Sequence, residues 1–220
     1  MRKMRKAAVV LAGILFATGS HAAGVGVRAG TTGFGADIGW SLAPTLSARL
    51  GYSGLNWNRD VDTGGVHYDG KLKLSNLSGL VDFSPLGPFR LTGGVFLNNN
   101  RYDVNGQPSN GTFDIGGRTY TTTDVGSLGG TVKSGRSLAP YLGIGYGNVA
   151  GAGVNFYADF GILFQGSPHA SLDATCGPSL SAAGCAQLQS DVAAERSRLE
   201  DRLKSFRYYP VLNIGITVGF

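Results

Sequence analysis

The chain has 220 residues, 36 of them glycine, with 15% charged side chains and a formal net charge of +5. Four basic residues, Arg2, Lys3, Arg5 and Lys6, crowd the start of the chain; without them fifteen basic residues face fourteen acidic ones. The near-neutral remainder lacks the basic stripe expected of a nucleic-acid binder, and no apolar run reaches the roughly 20 residues of a membrane-spanning helix.

In chain order, residues 1–22 read as a secretory signal peptide: a positive head, the short apolar stretch from Ala7 to Ala17, and small Ser20 and Ala22 before a cut. Alanine rather than cysteine stands immediately after that cut, at Ala23, so the chain does not read as a lipoprotein. Residues 23–220 then form a single domain.

That domain opens with a series of period-2 segments, the pattern of strands with one apolar face. Val25, Val27 and Ala29 alternate with Gly26, Arg28 and Gly30, and Phe34, Ala36, Ile38 and Trp40 with Gly35, Asp37, Gly39 and Ser41. A third segment covers 46–52. In the fourth, Leu72 and Leu74 have the opposite parity to Leu77, Val81 and Phe83, which predicts a β-bulge near Ser75 and Asn76. Segments at 89–97, 142–147, 154–165 and 212–220 bring the count to eight.

Connections alternate in length. Those at 42–44, 84–88 and 148–153 are short; a tight one at 31–33 and a polar one at 58–66 precede two long ones at 103–137 and 166–207. Transmembrane barrels have short turns on one side and longer loops on the other. Aromatic residues cluster at both ends of the segments, as in interfacial girdles. The expected fold is all-β: an eight-stranded antiparallel transmembrane β-barrel.

The alternation turns Arg28, Asp37, Arg49, Lys71, Lys73, Asp82, Arg90 and Asp159 inward. A barrel of eight strands is just wide enough for side chains to fill it, so these groups are expected to form a polar network that blocks ion flow. Shortening Arg49 and Arg90 together to Ala is expected to open it.

The last long loop holds two further features. Cys176 and Cys185, the only cysteines of an exported chain, are expected to form a disulfide. Leu188, Val192, Leu199, Leu203 and Phe206 recur at helical spacing over 187–206, predicting a short amphipathic helix with a supporting Glu200–Lys204 pair. Such a helix packs against loops, serves as a lid or plug over the barrel mouth, or offers a partner-binding surface.

Sites of chemistry are sparse. His169 and Ser171, with Glu195 or Glu200, are the one arrangement that could supply a base, a nucleophile and an orienting acid, but they lie in a polar loop without further motifs. No histidine–carboxylate spacing suggests a metal, and Gly64-Gly65, Gly116-Gly117 and Gly129-Gly130 read as turns because no Lys-Ser/Thr helix follows them. Catalytic residues, metal ligands and cofactors are therefore all expected to be none.

The segments from Ala139 (APYLGIGYG), from Phe160 (FGILFQGSP) and from Tyr208 (YYPVLNIGITVGF) resemble a family of proteobacterial outer-membrane proteins among the small OmpA-like and OmpX-like barrels. The resemblance implies a monomer in the outer membrane of a Gram-negative bacterium, surrounded by outer-membrane lipid and lipopolysaccharide. It also implies that Phe220 is read by the barrel-assembly machinery during insertion. A structural, surface-binding or adhesion-like role is expected; the alternatives are a narrow channel for small or apolar solutes and, further off, a lipid A-modifying enzyme.

Overall fold

The structure is a computed structural model that describes residues 22–63, 66–108 and 112–220. The expected signal peptide, save Ala22, lies outside the described residues. The chain forms β1 (Ala23–Gly30), β2 (Gly33–Ala43), β3 (Leu46–Thr63), β4 (Val66–Leu86), β5 (Phe89–Asn98), β6 (Arg101–Pro108), β7 (Thr112–Ile115), β8 (Arg118–Thr121) and β9 (Val125–Lys133). Then come β10 (Leu138–Gly147), β11 (Gly153–Phe164), β12 (His169–Cys176), α1 (Ala182–Leu203), a 3-10 turn (Lys204–Arg207) and β13 (Tyr208–Gly219).

Eleven strands, not eight, belong to the main sheet. Antiparallel pairing runs β1–β2–β3–β4–β5–β10–β11–β13 and returns to β1, closing a ring. Closure removes the free edges that an open sheet would expose. The seam is held at its end by reciprocal backbone bonds, Ala23 N–H to the Phe220 carbonyl at 3.0 Å and Phe220 N–H to the Ala23 carbonyl at 2.8 Å. Deleting Phe220 removes both bonds and an exposed apolar ring. The truncated chain is expected to insert into membranes less efficiently, read as a smaller heat-modifiable fraction on a gel; equal fractions would contradict this.

The other three strands, β6, β9 and β12, extend the sheet beyond the ring. They build outward from the upper half of β4, in the order β4–β6–β9–β12. Of the 58–66 segment expected to be a loop, residues 58–63 and 66 instead belong to a long β3–β4 hairpin, whose pairing is continuous from Leu46–Phe83 to Thr63–Val66; Gly64-Gly65 lies outside the described residues. The two long loops expected at 103–137 and 166–207 supply the added strands, the β7–β8 hairpin and α1. Gly116-Gly117 does form the β7–β8 turn, both residues with positive φ, but Gly129-Gly130 lies inside β9.

No register shift interrupts β3 and β4, so the expected bulge at Ser75 and Asn76 is absent. The interruption falls on the neighbouring strand, where Asn99 and Asn100 separate β5 from β6 while both keep one register against β4. Asn99 N–H still bonds the Ser75 carbonyl at 2.9 Å.

The surface of the ring is apolar. Val27, Ile38, Leu50, Val81, Leu91 and Ile214 are among many large hydrophobic side chains pointing outward and exposed, while Arg28, Asp37, Arg49, Asp82, Arg90 and Asp159 are buried. That inverts the arrangement of a water-soluble protein and suits a lipid surround. No described helix is long and apolar enough to cross a membrane.

Candidate functional site

Six of the sequence-expected lumen residues meet in one cluster. Arg28 donates to Asp37 at 2.8 Å and reaches the Ser53 and Ser78 hydroxyls at 3.4 and 3.2 Å. Arg49, 1% exposed, donates to Asp159 at 2.7 Å and Asp82 at 3.1 Å. Its Nε lies 3.0 Å from the second Asp82 oxygen, a close ion contact without hydrogen-bond geometry. Arg90 donates to Asp159 at 2.7 Å, and Thr92 to Asp82 at 2.6 Å.

Three guanidiniums thus balance three carboxylates across strands β1 to β5 and β11. Neutrality matters, because a buried charge left without a partner costs several kcal/mol. Two distinct oxygens on each carboxylate let one Asp serve two neighbours, the geometry that the planar fork of arginine matches.

Tyr157 joins the cluster, and sequence reasoning had not named it. Its hydroxyl donates to Asp37, and Arg49 and Arg90 stand 5.3 and 5.5 Å from its ring centroid. The signal was present: Tyr157 shares inward parity with Asn155 and Asp159. Space for these large groups comes from glycines on facing strands. A Cβ at Gly51 would fall 2.0 Å from Asp37, one at Gly145 2.6 Å from Arg90, and one at Gly215 2.4 Å from the Tyr157 ring.

Two expected members are elsewhere. Lys71 and Lys73 share parity with Leu77 and Val81 and therefore face out, because without a bulge the strand cannot exchange its faces. They lie beside Arg101 and Asp103 in a groove on the outside of the extension.

Above the ion pairs the lumen is apolar. Leu80, Phe96, Ala139, Tyr141, Leu163 and Val211 pack together, with the Phe96 and Tyr141 rings 5.3 Å apart. Asn98 bonds Gln165 at 3.2 Å above that belt, and Gln165 bonds the Phe206 carbonyl at 2.9 Å. At the opposite end Val149 and Ala150, in the turn between β10 and β11, are buried. The Val149 carbonyl comes so close to Gly24 and Gly39 that a Cβ there would lie 2.5 and 2.9 Å from it. The belt and the turn are further obstructions, so shortening Arg49 and Arg90 alone no longer suffices to open a path; Phe96 must be shortened and the Val149–Ala150 plug removed as well.

Beyond the ring, β9, β12, the β7–β8 hairpin and α1 enclose a small core of Ile115, Tyr120, Val125, Leu188 and Val192. The helix starts five residues before the expected position, capped by Ser181, whose hydroxyl accepts from Gly184 N–H at 3.2 Å. Only its first half is buried: Phe206, expected on the apolar face, is exposed. Lys204 pairs with Asp201 at 2.6 Å rather than with Glu200, which accepts from Ala170 N–H at 3.3 Å. Cys176 and Cys185 are joined, tying the end of β12 to α1.

Asp191 anchors the helix to this core. It accepts from Tyr120 at 2.6 Å and Gln187 at 2.9 Å, with Arg118 at 3.5 Å. The Tyr120 bond holds the Asp191 carboxyl below the usual carboxylate range, while burial, then the bond to Asp191, pushes the Tyr120 phenol up to about 12. A raised folded pKa gives stability that is complete below the unfolded tyrosine value and lost as pH rises toward the folded one. The outer domain is therefore expected to loosen between roughly pH 10 and about 12, with Tyr120→Phe abolishing that step. Amide exchange in α1 against pH measures it; an identical alkaline step in the variant would contradict the assignment.

The candidate acid–base set is not assembled into a relay. Ser171 donates to the Thr131 carbonyl at 3.5 Å, Glu195 pairs with Arg198 at 3.4 Å, and Glu200 holds the Ala170 backbone. Among the described residues no group of three or more His, Cys, Asp or Glu side chains could hold a metal ion.

A closed antiparallel ring, apolar outside and ion-paired within, defines the fold of an outer-membrane β-barrel. No family model and no curated protein sequence matches the chain. Among solved structures it is similar to CarO2 of Acinetobacter baumannii, at 21% identity over 90% of this chain and 98% of that one, with a TM-score of 0.61. CarO of the same organism is similar at 21% identity, over 90% of this chain and 97% of that one, with a TM-score of 0.55. At these identities the likeness is one of fold.

Proposed function

We propose that the chain is a monomeric outer-membrane protein of a Gram-negative bacterium, with an eight-stranded transmembrane barrel of OmpA-like or OmpX-like size. Its role is to hold the outer domain at the cell surface as a structural or ligand-binding platform, rather than to conduct solutes or catalyse a reaction. One observation carries this reading: the lumen is filled along its length by ion pairs, an apolar belt and a tucked turn, whereas the added strands and helix form a domain with a core of its own. Outer-membrane lipid and lipopolysaccharide would surround the barrel, and the barrel-assembly machinery would insert it.

Surface proteolysis tests the display role. Trypsin added to intact cells should cut at exposed Arg118 or within α1 and leave a barrel fragment in the membrane. Cleavage only after the cells are opened would contradict it. The channel reading would need a continuous wet path, which the belt interrupts.

A further inference from the structure

Along the outward face of β4, successive side chains are Phe83, Val81, Gly79, Leu77, Ser75, Lys73 and Lys71. On this face Leu77 and its cross-strand neighbour Tyr52 are the last of the exposed apolar cover, and the Tyr52 hydroxyl meets that of Ser75 at 3.3 Å. From Leu77 to Lys73 the strand advances about 13 Å, or about 10 Å of height at a tilt near 40°. With the Tyr52 hydroxyl and Ser75 at the edge of the hydrocarbon, Lys73 stands about 5 Å above that edge, within a headgroup layer about 5–7 Å deep.

At that level the register sets three cations side by side. Lys73 pairs directly with Arg101, and Arg101 with Lys133. Directly opposed like charges destabilise a sheet, and no requirement of the fold explains them. Asp103 sits 3.0 Å from Arg101; among the described residues no carboxylate pairs with Lys73 or Lys133. The three cations line a cleft of about 520 Å³ with Asn56, Asn100 and Ser134, opened by the break between β5 and β6. Amide and hydroxyl groups beside clustered cations are the donors that a phosphate oxygen accepts from.

We propose that this cleft binds a phosphate monoester carried by a lipid of the surrounding leaflet. The inference rests on the membrane-barrel reading, which fixes the height of Lys73. A phosphate bridging Lys73, Arg101 and Lys133 removes their mutual repulsion, and the apolar surface below Tyr52 receives the acyl chains of the same molecule.

The test uses purified protein in non-ionic micelles, titrated with bisphosphorylated lipid A, with the same lipid after dephosphorylation, and with inorganic phosphate. Wild type should retain the phosphorylated lipid. The Lys73→Gln, Arg101→Gln, Lys133→Gln triple variant should bind on the order of 100-fold more weakly, Lys133→Glu alone should shift the same way, and Lys204→Gln should leave binding unchanged. Equal retention by the triple variant, or of the dephosphorylated lipid by wild type, overturns the site. Inorganic phosphate bound as tightly as the lipid overturns the lipid assignment. Insertion of wild type into vesicles is scored separately. Failure there overturns the membrane reading, and normal insertion without lipid A retention overturns the phosphate site alone.

Discussion

Replacing Asp159 by Ala is expected to destabilise the barrel by about 3–5 kcal/mol, the range for breaking a buried ion pair. Asp159 accepts from both Arg49 and Arg90 at 2.7 Å, so its loss leaves two buried guanidiniums to share Asp82, 0% exposed and already bonded to Thr92. Water cannot enter to compensate, because the apolar belt and the tucked turn close the two ends. Urea unfolding in lipid vesicles, followed by heat-modifiable mobility, gives the shift. Asp201→Ala, which breaks an exposed pair on the helix, should leave the midpoint unmoved. Equal midpoints for Asp159→Ala and wild type would show that the network contributes nothing to the fold.

Adding a side chain at Gly215 is expected to be as damaging for a different reason. A Cβ there would lie 2.4 Å from the Tyr157 ring, and Tyr157 cannot retreat, since it bonds Asp37 and packs beside two guanidiniums. Overpacking costs about 1–3 kcal/mol, and dislodging Tyr157 adds the loss of its partners. Gly215→Val should therefore yield little folded barrel. Gly93 is the control: it lies in β5 with no atom within 4 Å of an added Cβ. Gly93→Val should fold as well as wild type or better, because a β-branched side chain suits an exposed strand position. If both variants fold alike, glycine is not making room inside this lumen.

The ring's parity was legible in the sequence because a strand in lipid has one apolar and one filled face, and a side-chain period of two leaves no other choice. Arg28, Asp37, Arg49, Asp82, Arg90 and Asp159 were placed by that rule alone. The same rule misplaced Lys71 and Lys73. On β4 the apolar residues move from Leu77 and Val81 on one face to Leu72 and Leu74 on the other, which in isolation reads as a bulge. The strand keeps its register, and what changes is the surroundings. Above Ser75 the former lipid face meets charges and water, while the opposite face carries Trp57, Leu72 and Tyr102 in cross-strand register. A swap of apolar parity without a register shift marks where the membrane-facing surface ends.

The outer strands were missed for a related reason. In β12, Ala170, Leu172, Ala174 and Cys176 alternate with His169, Ser171, Asp173 and Thr175, but small residues facing a small core give a weak period. In β6 only Tyr102 and Val104 carry it. Pairings distant in sequence fix both, β6 on the long β3–β4 hairpin and β12 on β9. The ion-pair partners were likewise open: inward parity gave the candidates, while closure of the ring brought Arg49 of β3 across the lumen to Asp159 of β11.

Planar-bilayer conductance of the purified, refolded barrel tests the closed lumen most directly. Wild type should give no steady open level, and Arg49→Ala with Arg90→Ala should remain closed because Phe96, Leu163 and Tyr141 still fill the belt. Adding Phe96→Ala to that pair and deleting Val149 and Ala150, which plug the opposite end, should produce openings. Stable, well-resolved channels from pure wild-type protein would contradict the filled lumen and, with it, the platform role.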